Sequence, residues 1–314
     1  MSKKVLSLFL SIAAILVPVV ILYLALASVG FEPLMTNSVS FDAKLKNFDE
    51  RKDKHADLLA IGSSMTLNNL DSKVITDSVT QSYYNLASWG LQMDDIKKML
   101  EYYVPVIKPR AVLIASSTRD FEAMGNETVK NYINTPECLK NFKPYFYYEN
   151  FNPLLSIAAR KKELIADRKM TDNYSSLAYD NNGGVLLNVS PANIASGGRW
   201  DAKFPFPTKF TEHQYKVLDS LAAFLNKQNI KLFFIQQPIR KAYQAFLKDP
   251  SILQHHFTVT EGIIKKNNGV YLNLIDMPEF ATDKYFADQH HLMAAGAAIA
   301  TKKTVGVMKE YFKK

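Results

Sequence analysis

A short apolar run that stops at one glycine and two serines constrains this fold more than any other feature. Residues 57–61 read Asp-Leu-Leu-Ala-Ile, and they lead directly into Gly62, Ser63 and Ser64. An uninterrupted apolar run of this length is typical of a strand that is buried on both faces, as in parallel sheets covered by helices. Ligands of open α/β sheets bind at the carboxyl edge of the strands. The sequence therefore predicts two serine hydroxyls at a ligand-binding edge.

Four more short apolar runs alternate with amphipathic stretches along the chain. After the first strand at 58–61, further strands are predicted at 82–86, 111–115, 231–235 and 270–274. Helices are predicted at about 71–77, 91–106, 157–168, 211–228, 258–268 and 293–313. Alternating strands and helices favour a parallel sheet that is covered on both faces. We therefore expect an α/β domain with five parallel strands.

The alternation is lost between about residues 121 and 208, where Asn, Gly, Pro and aromatic residues predominate. A connection this long without regular structure is unusual in a compact domain, so we predict an insertion with local helices. Its aromatic residues could stack on sugar rings, or they could pack a small core of the insertion itself. These aromatic residues are 145–148, Trp200, Phe204 and Phe206.

The N-terminus carries an uncharged apolar run from Val5 to Ser28, preceded by Lys3 and Lys4. This run is long enough to cross the roughly 30 Å hydrocarbon core of a bilayer. The two lysines favour an N-terminus on the cytoplasmic side. A cleaved signal peptide is the alternative, because residues 25–27 read Ala-Leu-Ala, but signal peptides have shorter apolar regions of about 7–15 residues.

These features predict three regions in the chain. Residues 1–30 are expected to form a transmembrane signal anchor, and residues 31–55 a spacer that carries the domain off the membrane. Residues 56–314 are expected to form the α/β domain, with its insertion at about 121–208. The domain would then lie outside the cytoplasm, attached to the cell membrane by a single span through residues 5–28.

Composition argues against two classes of protein. The net charge is +8, but the basic residues are scattered among acidic ones without a long basic block, so we expect no nucleic-acid partner. Cys138 is the single cysteine, and one cysteine cannot form an internal disulfide.

A serine is a weak nucleophile unless a base activates it, and the candidate base lies near the C-terminus. Asp288 and His291 are three residues apart, just before an Ala-rich helical stretch. This spacing allows a carboxylate and an imidazole to meet on one turn, where the carboxylate would orient the imidazole.

A metal site is the alternative interpretation of the histidines, since His255, His256, His290 and His291 could combine with Asp288. Side chains of adjacent residues point apart, and the sequence has no H-E-x-x-H motif. We therefore expect neither a metal nor another cofactor.

Together the two motifs resemble those of the SGNH/GDSL hydrolase superfamily. The first block of that superfamily is G-D-S, and Gly62-Ser63-Ser64 stands in its place here, with Ser replacing Asp. The last block is D-x-x-H-L followed by a glycine, which matches Asp288-Gln-His-His291-Leu. The resemblance is closest to the membrane-anchored branch that modifies cell-surface polysaccharides, which includes proteins of polysaccharide O-acetylation and teichoic-acid D-alanylation.

The resemblance implies roles for the residues of both motifs. Ser64 occupies the position of the nucleophile, and Ser63 is the alternative. His291 would be the general base and Asp288 its orienting carboxylate. His290 is expected to be a neighbour exposed at the rim.

The resemblance also implies donors for an oxyanion, which ester cleavage requires. Residues 85–90, Asn-Leu-Ala-Ser-Trp-Gly, resemble the second block, so the N–H of Gly90 is expected to act beside that of Ser64. The third block is normally G-x-N-D, and its Asn is missing here. Ser117 or Thr118 is the substitute donor that we predict.

Three further residues are candidates for binding substrate. Asn85 opens the second block, Gln237 follows the fourth predicted strand at the same sheet edge, and Arg240 could bind an anionic group. Gln237 and Arg240 would also be ordinary loop and surface residues.

The implied fold is a flavodoxin-like three-layer α/β/α domain of the SGNH hydrolase type, with a five-stranded parallel sheet. The implied function is that of a serine esterase or acyltransferase acting on acyl groups, most simply O-acetyl groups, of a cell-envelope or exported polysaccharide. A multi-pass membrane acyltransferase is the implied partner. The alternative is a degenerate SGNH domain that serves as a carbohydrate-binding or scaffolding subunit.

Overall fold

The computed structural model of the protein describes residues 3–28, 38–122, 170–196, 210–244 and 251–313. The predicted helix at 157–168 and the aromatic residues 145–148, Trp200, Phe204 and Phe206 lie outside the described residues.

Five strands form one sheet in which every pair of neighbours is parallel. The strands are β1 (Leu58–Ala60), β2 (Tyr83–Asn85), β3 (Ala111–Ser116), β4 (Lys231–Gln236) and β5 (Val270–Asn273). Their order across the sheet is β2-β1-β3-β4-β5, one of the two common orders of doubly wound sheets. The five predicted parallel strands are therefore confirmed.

The described part of the chain contains ten α-helices. They are α1 (Lys3–Ser28), α2 (Val39–Asp49), α3 (Ser64–Asn68), α4 (Ser72–Ser78), α5 (Met93–Ile107), α6 (Pro191–Ser196), α7 (Glu212–Lys227), α8 (Lys241–Gln244), α9 (Ser251–Lys266) and α10 (Ala294–Phe312). Short 3-10 turns occur at Thr118–Phe121, Pro278–Phe280 and Asp283–Tyr285.

Alternate residues of the strands face two different layers of helices. In β3, Val112 and Ile114 pack in one core with buried residues of α2, α5, α7 and α9, whereas Leu113 packs in a second core with α4 and α10. All six residues of β3 are buried. Because both faces of the strand are covered, β3 reads as a continuous apolar run in the sequence.

Helix α2 lies in the predicted spacer and is part of the packing of the domain. Ser38 caps its N-terminus by accepting a hydrogen bond from the N–H of Phe41. Phe41, Leu45 and Phe48 recur at helical spacing and are all buried in the core that contains β3. Residues 38–49 therefore do not act as the predicted spacer, because their apolar side chains pack in the core of the domain.

Helix α1 is the one helix in the described ranges that is long and apolar enough to cross a membrane. The qualifying stretch is Lys3–Leu22, and its residues are exposed in the structure. Signal sequences near an N-terminus meet the same criterion of length and composition.

Candidate active site

The candidate site lies where the strand order of the sheet reverses. Strands β1 and β3 are neighbours, but their following connections run to opposite sides of the sheet, which creates a crevice at their carboxyl ends. Ser63 and Ser64 follow β1, and Ser117 and Thr118 follow β3. The fold therefore brings both predicted hydroxyl pairs to one edge.

The structure brings Ser64, His291 and Asp288 together in a chain of two hydrogen bonds. Ser64 Oγ lies 2.8 Å from His291 Nε2, and His291 Nδ1 lies 2.8 Å from Asp288 Oδ2. If Ser64 donates its proton to Nε2, then Nδ1 carries the ring hydrogen and donates it to Asp288. The three predicted residues thus have the geometry of a nucleophile, a base and an orienting acid.

Asp288 is held as a carboxylate by its surroundings. Its Oδ1 accepts hydrogen bonds of 2.8 Å from the backbone N–H groups of both His290 and His291. Burial alone would raise the pKa of Asp288, but the charge and hydrogen bonds of His291 and the hydroxyl of Tyr174 outweigh it and lower the pKa. Asp288 can therefore accept a hydrogen bond from the imidazole at any physiological pH.

Local interactions after β1 fix the position of Ser64. Ser63 caps α3 by accepting a 3.2 Å hydrogen bond from the N–H of Met65, which leaves Ser64 in the first helical turn. A Cβ on Gly62 would lie 2.1 Å from Thr66 Oγ1. That hydroxyl donates to the carbonyl of Ala115 at 2.7 Å, so it ties α3 to β3. Gly62 is needed because no side chain fits beside Thr66.

Asn69 holds the loop that carries the histidine. Its amide nitrogen donates to the carbonyl of His290 at 3.2 Å, and its amide oxygen accepts from the N–H of Leu292 at 2.9 Å. Asn69 directly follows α3, so the serine helix and the histidine loop are joined through one side chain. We did not predict this residue, since nothing in its local sequence points to a partner more than two hundred positions away.

Tyr174 is a second site residue that sequence reasoning missed. Its hydroxyl is hydrogen-bonded to Asp288 Oδ2 and lies 2.6 Å from His291 Nδ1. Tyr174 belongs to the predicted insertion, where one tyrosine among many gives no signal of its position.

The predicted oxyanion donors differ in how far the structure supports them. Gly90 is exposed and has a positive φ of 71°, which suits glycine. Ser117 caps the turn that starts at Thr118: its hydroxyl oxygen accepts from the N–H of Arg119, and its own N–H donates to Asp120. Thr118 is fully buried, and among the described residues its hydroxyl has no hydrogen-bond partner. Within the described residues, none of the three is hydrogen-bonded to Ser64.

Asp120 ends the segment that resembles the third block. Its hydrogen bonds connect the segments that follow β1 and β3, the two strands whose carboxyl ends form the crevice. Its carboxylate accepts hydrogen bonds from Ser116 Oγ at 2.8 Å and from the N–H of Ser117 at 3.1 Å. Burial raises the pKa of Asp120 to about 6, and hydrogen bonds from Ser63 and Ser116 act in the opposite direction. Asp120 thereby links Ser63, next to the candidate nucleophile, to the end of β3.

Asn85 is fully buried, and its side-chain amide is used within the fold. Its amide nitrogen donates to the carbonyl of Thr66 at 2.8 Å. Its amide oxygen accepts from the N–H of Ala87 at 3.0 Å. These hydrogen bonds brace α3, and the substrate-binding role of Asn85 stays a prediction.

Gln237 and Arg240 lie at the carboxyl edge beyond β4. Gln237 is fully buried, and neither end of its side-chain amide has a partner. Arg240 donates to Asp283 Oδ2 at 2.7 Å, and its backbone N–H donates to the carbonyl of Gln289. Arg240 therefore links the β4 loop to the segment that carries the histidine.

His290 is buried, whereas we expected it at the exposed rim. Only 4% of its surface is exposed, and its ring packs edge-on against Tyr243 with centroids 5.1 Å apart. Burial lowers the pKa of His290 to about 3, so the ring is neutral. The sharp turn from Asp288 to His291 sends the two histidine rings in different directions, and only His291 reaches Ser64.

The described residues contain no group of three or more His, Cys, Asp or Glu side chains placed to hold a metal ion. His256 lies in the core, where its ring is hydrogen-bonded to Tyr215 at 2.8 Å and to Gln236 at 3.2 Å. Burial lowers the pKa of His256 to about 3. This histidine is a packing residue of the core and lies apart from the candidate site.

Comparison with known proteins finds no family model that matches this chain and no match among curated proteins. The interpretation of the site therefore depends on its motifs and its geometry.

Proposed function

We propose that this protein is a membrane-anchored, extracytoplasmic serine esterase or acyltransferase of the SGNH type. The observation that carries the proposal is the pair of 2.8 Å hydrogen bonds that joins Ser64 to His291 and His291 to Asp288. A hydroxyl, an imidazole and a carboxylate in this order form the arrangement that activates serine for attack on acyl groups.

The proposed reaction has two halves. Ser64 Oγ attacks the acyl carbonyl carbon while His291 Nε2 takes the hydroxyl proton, and Asp288 stabilises the imidazolium that forms. Collapse of the tetrahedral intermediate breaks the ester bond, and His291 returns the proton to the departing alcohol. Water or a sugar hydroxyl then attacks the acyl-enzyme, again losing its proton to His291. Esterase and acyltransferase differ only in this acceptor.

The developing oxyanion needs hydrogen-bond donors near Ser64. The N–H of Ser64 belongs to the first turn of α3, where backbone N–H groups have no partner within the helix. Thr118 Oγ1 is the second donor that the structure favours, because it is buried at the same edge without a partner. Gly90 remains the donor that the motif resemblance suggests.

The fold position of each motif supports the SGNH assignment. Ser64 follows the first strand of a doubly wound sheet, and Asp288 and His291 precede the last helix, α10. The polysaccharide substrate, the O-acetyl group and the multi-pass acyltransferase partner are proposals that depend on the motif resemblance.

The proposed anchor joins the domain close to the edge that carries Ser64, which suits a substrate located near the membrane surface. Ser40, at the start of α2, shares a 2.7 Å hydrogen bond with the hydroxyl of Ser88, and the N–H of Ser88 donates to the carbonyl of Gly62 at 3.1 Å. Helix α2 therefore begins at the edge that carries Ser64. The chain from Ser28 to Ser38 can reach at most about 36 Å, which limits how far this edge can lie from the bilayer.

A degenerate domain that binds carbohydrate or serves as a scaffold is the second candidate function. The observation that favours it is the third block, where Ser117 stands near the expected Asn position and its N–H already donates to Asp120. The complete set of Ser64, His291 and Asp288 argues against it.

A fluorophosphonate probe separates these two functions. Because the probe reacts only with an activated serine, we expect the full-length protein in detergent to be labelled at one site. Ser64→Ala should abolish labelling, and Ser63→Ala, the matched control, should retain it. Peptide mass spectrometry of the adduct checks the position. A folded wild-type protein that resists the probe would favour the binding or scaffolding function.

The anchor gives a separate prediction. We expect the protein to remain with the membrane fraction after a carbonate wash, because the stretch Lys3–Leu22 of α1 is strongly apolar and exposed. Protease added to intact spheroplasts should digest the domain while a cytoplasmic marker stays protected. A soluble form with its N-terminus near Ser28 would instead identify the segment as a cleaved signal peptide.

A further inference from the structure

We propose that Tyr174 is a positioning residue for Asp288 and His291, which fixes the orientation of the imidazole that acts as base. This inference rests on the proposed acyl-transfer function of Ser64. Tyr174 lies in the segment 170–196, far in sequence from both motifs that identify the triad.

The hydroxyl of Tyr174 completes a triangle of polar atoms with the acid and the base. It donates to Asp288 Oδ2, because an ionised carboxylate can only accept. Its oxygen lies 2.6 Å from His291 Nδ1, which itself lies 2.8 Å from Oδ2. The Nδ1 hydrogen therefore points between two oxygens. Rotation of the imidazole away from Ser64 would break contacts to both.

The ring of Tyr174 is fixed by packing on both sides of the histidine loop. It meets the His291 ring edge-on, with centroids 5.3 Å apart and an interplanar angle of 83°. It also packs in a small apolar cluster with Ala287 and Met293. These two residues flank Asp288 and His291 in sequence, so the cluster holds the tyrosine and the loop in one unit.

The segment that carries Tyr174 also ties together the two helices of the site. The carbonyl of Val185 accepts a 2.9 Å hydrogen bond from the Asn68 side chain in α3, the helix that begins at Ser64. The carbonyl of Leu187 accepts a 2.9 Å hydrogen bond from the N–H of Ala294 at the start of α10. The segment thus connects the helix that begins at Ser64 with the start of α10. Within this segment, Tyr174 contacts Asp288 and His291.

The hydroxyl contacts both members of the pair at once. Asp288 accepts hydrogen bonds from two backbone N–H groups, from His291 Nδ1 and from Tyr174. Without the tyrosine hydroxyl, the carboxylate would lose one of these donors, and the Nδ1 hydrogen would lose one of its two oxygen neighbours. The imidazole would then depend on Asp288 for its orientation toward Ser64.

Tyr174→Phe tests this role because it removes the hydroxyl and keeps the ring. In the full-length protein we expect kcat for a p-nitrophenyl ester to fall about 10-fold or more, with little change in KM. Tyr179→Phe is the matched control, since Tyr179 lies in the same segment and its hydroxyl donates to the Ser40 carbonyl. The control should keep the wild-type kcat and KM.

A second measurement does not depend on turnover. The ring nitrogen signals of His291 can be observed by NMR at a fixed pH, with His291→Ala as the assignment variant. We expect Tyr174→Phe to shift the Nδ1 signal, which reports the hydrogen bonds at that nitrogen, and Tyr179→Phe to leave it unchanged. A wild-type protein without turnover would defeat the proposed function, while the Nδ1 signal would still test the contact. A folded Tyr174→Phe protein with a wild-type Nδ1 signal would overturn the positioning role.

Discussion

Replacing Ser64 with alanine is expected to lower kcat for a p-nitrophenyl acetate surrogate by about 10³-fold or more, because members of such a triad act as a unit. Ser64 is half-buried and its hydroxyl is hydrogen-bonded to His291. Alanine therefore removes the nucleophile without disturbing a packed core. Steady-state rates on purified full-length protein, corrected for spontaneous hydrolysis, measure the effect.

Ser63→Ala is the control for the position of the nucleophile. Ser63 is buried and caps α3, so its loss should cost stability by about 0.5–2 kcal/mol and reduce activity far less than the loss of Ser64. Thermal unfolding should be recorded for both variants. If Ser63→Ala abolished turnover and Ser64→Ala did not, the nucleophile would be Ser63 and the proposed alignment would be displaced by one residue.

Replacing His291 with alanine is expected to match the loss caused by Ser64→Ala, since the base and the nucleophile act on the same proton. Asp288→Asn should also be severe, by roughly 10³- to 10⁴-fold, because an amide in this place would favour the wrong imidazole tautomer. Steady-state rates of the purified variants, recorded side by side, provide the measurement.

His290→Gln is the matched control for the histidine. His290 is a buried neutral ring beside Tyr243, and glutamine replaces it with a neutral side chain of similar size. We expect this variant to retain most of its activity. A fully active His291→Ala protein would eliminate His291 as the base, and with it the triad.

The strands and the two motifs could be predicted because their signals are local. Buried parallel strands are continuous apolar runs, and β3 and β4 begin at the predicted residues Ala111 and Lys231. Helix boundaries depend more on tertiary contacts, and α9 begins at Ser251, seven positions before the predicted start at 258. The spacing of Asp288 and His291 could be recognised in the sequence because both residues lie on one turn.

Other site residues could not be predicted, because their roles depend on contacts between distant segments. Tyr174 reaches Asp288 across more than a hundred positions, and Asn69 reaches the histidine loop across more than two hundred. The hydrogen bond by which Asn85 braces α3 is a further contact between distant segments. No sequence period or motif encodes such pairings.

The sequence by itself determined the five parallel strands, the long apolar N-terminal segment and the close spacing of Asp288 and His291. These follow from hydrophobic runs and from spacing within single turns, which act over a few residues. The proposal that Ser64 is the nucleophile rests on the motif resemblance. Only the tertiary structure decided that α2 packs against the sheet, that His290 is buried and that Tyr174 meets Asp288 and His291. Burial and hydrogen-bond partners are properties of surfaces brought together by folding, so they arise only when the segments meet.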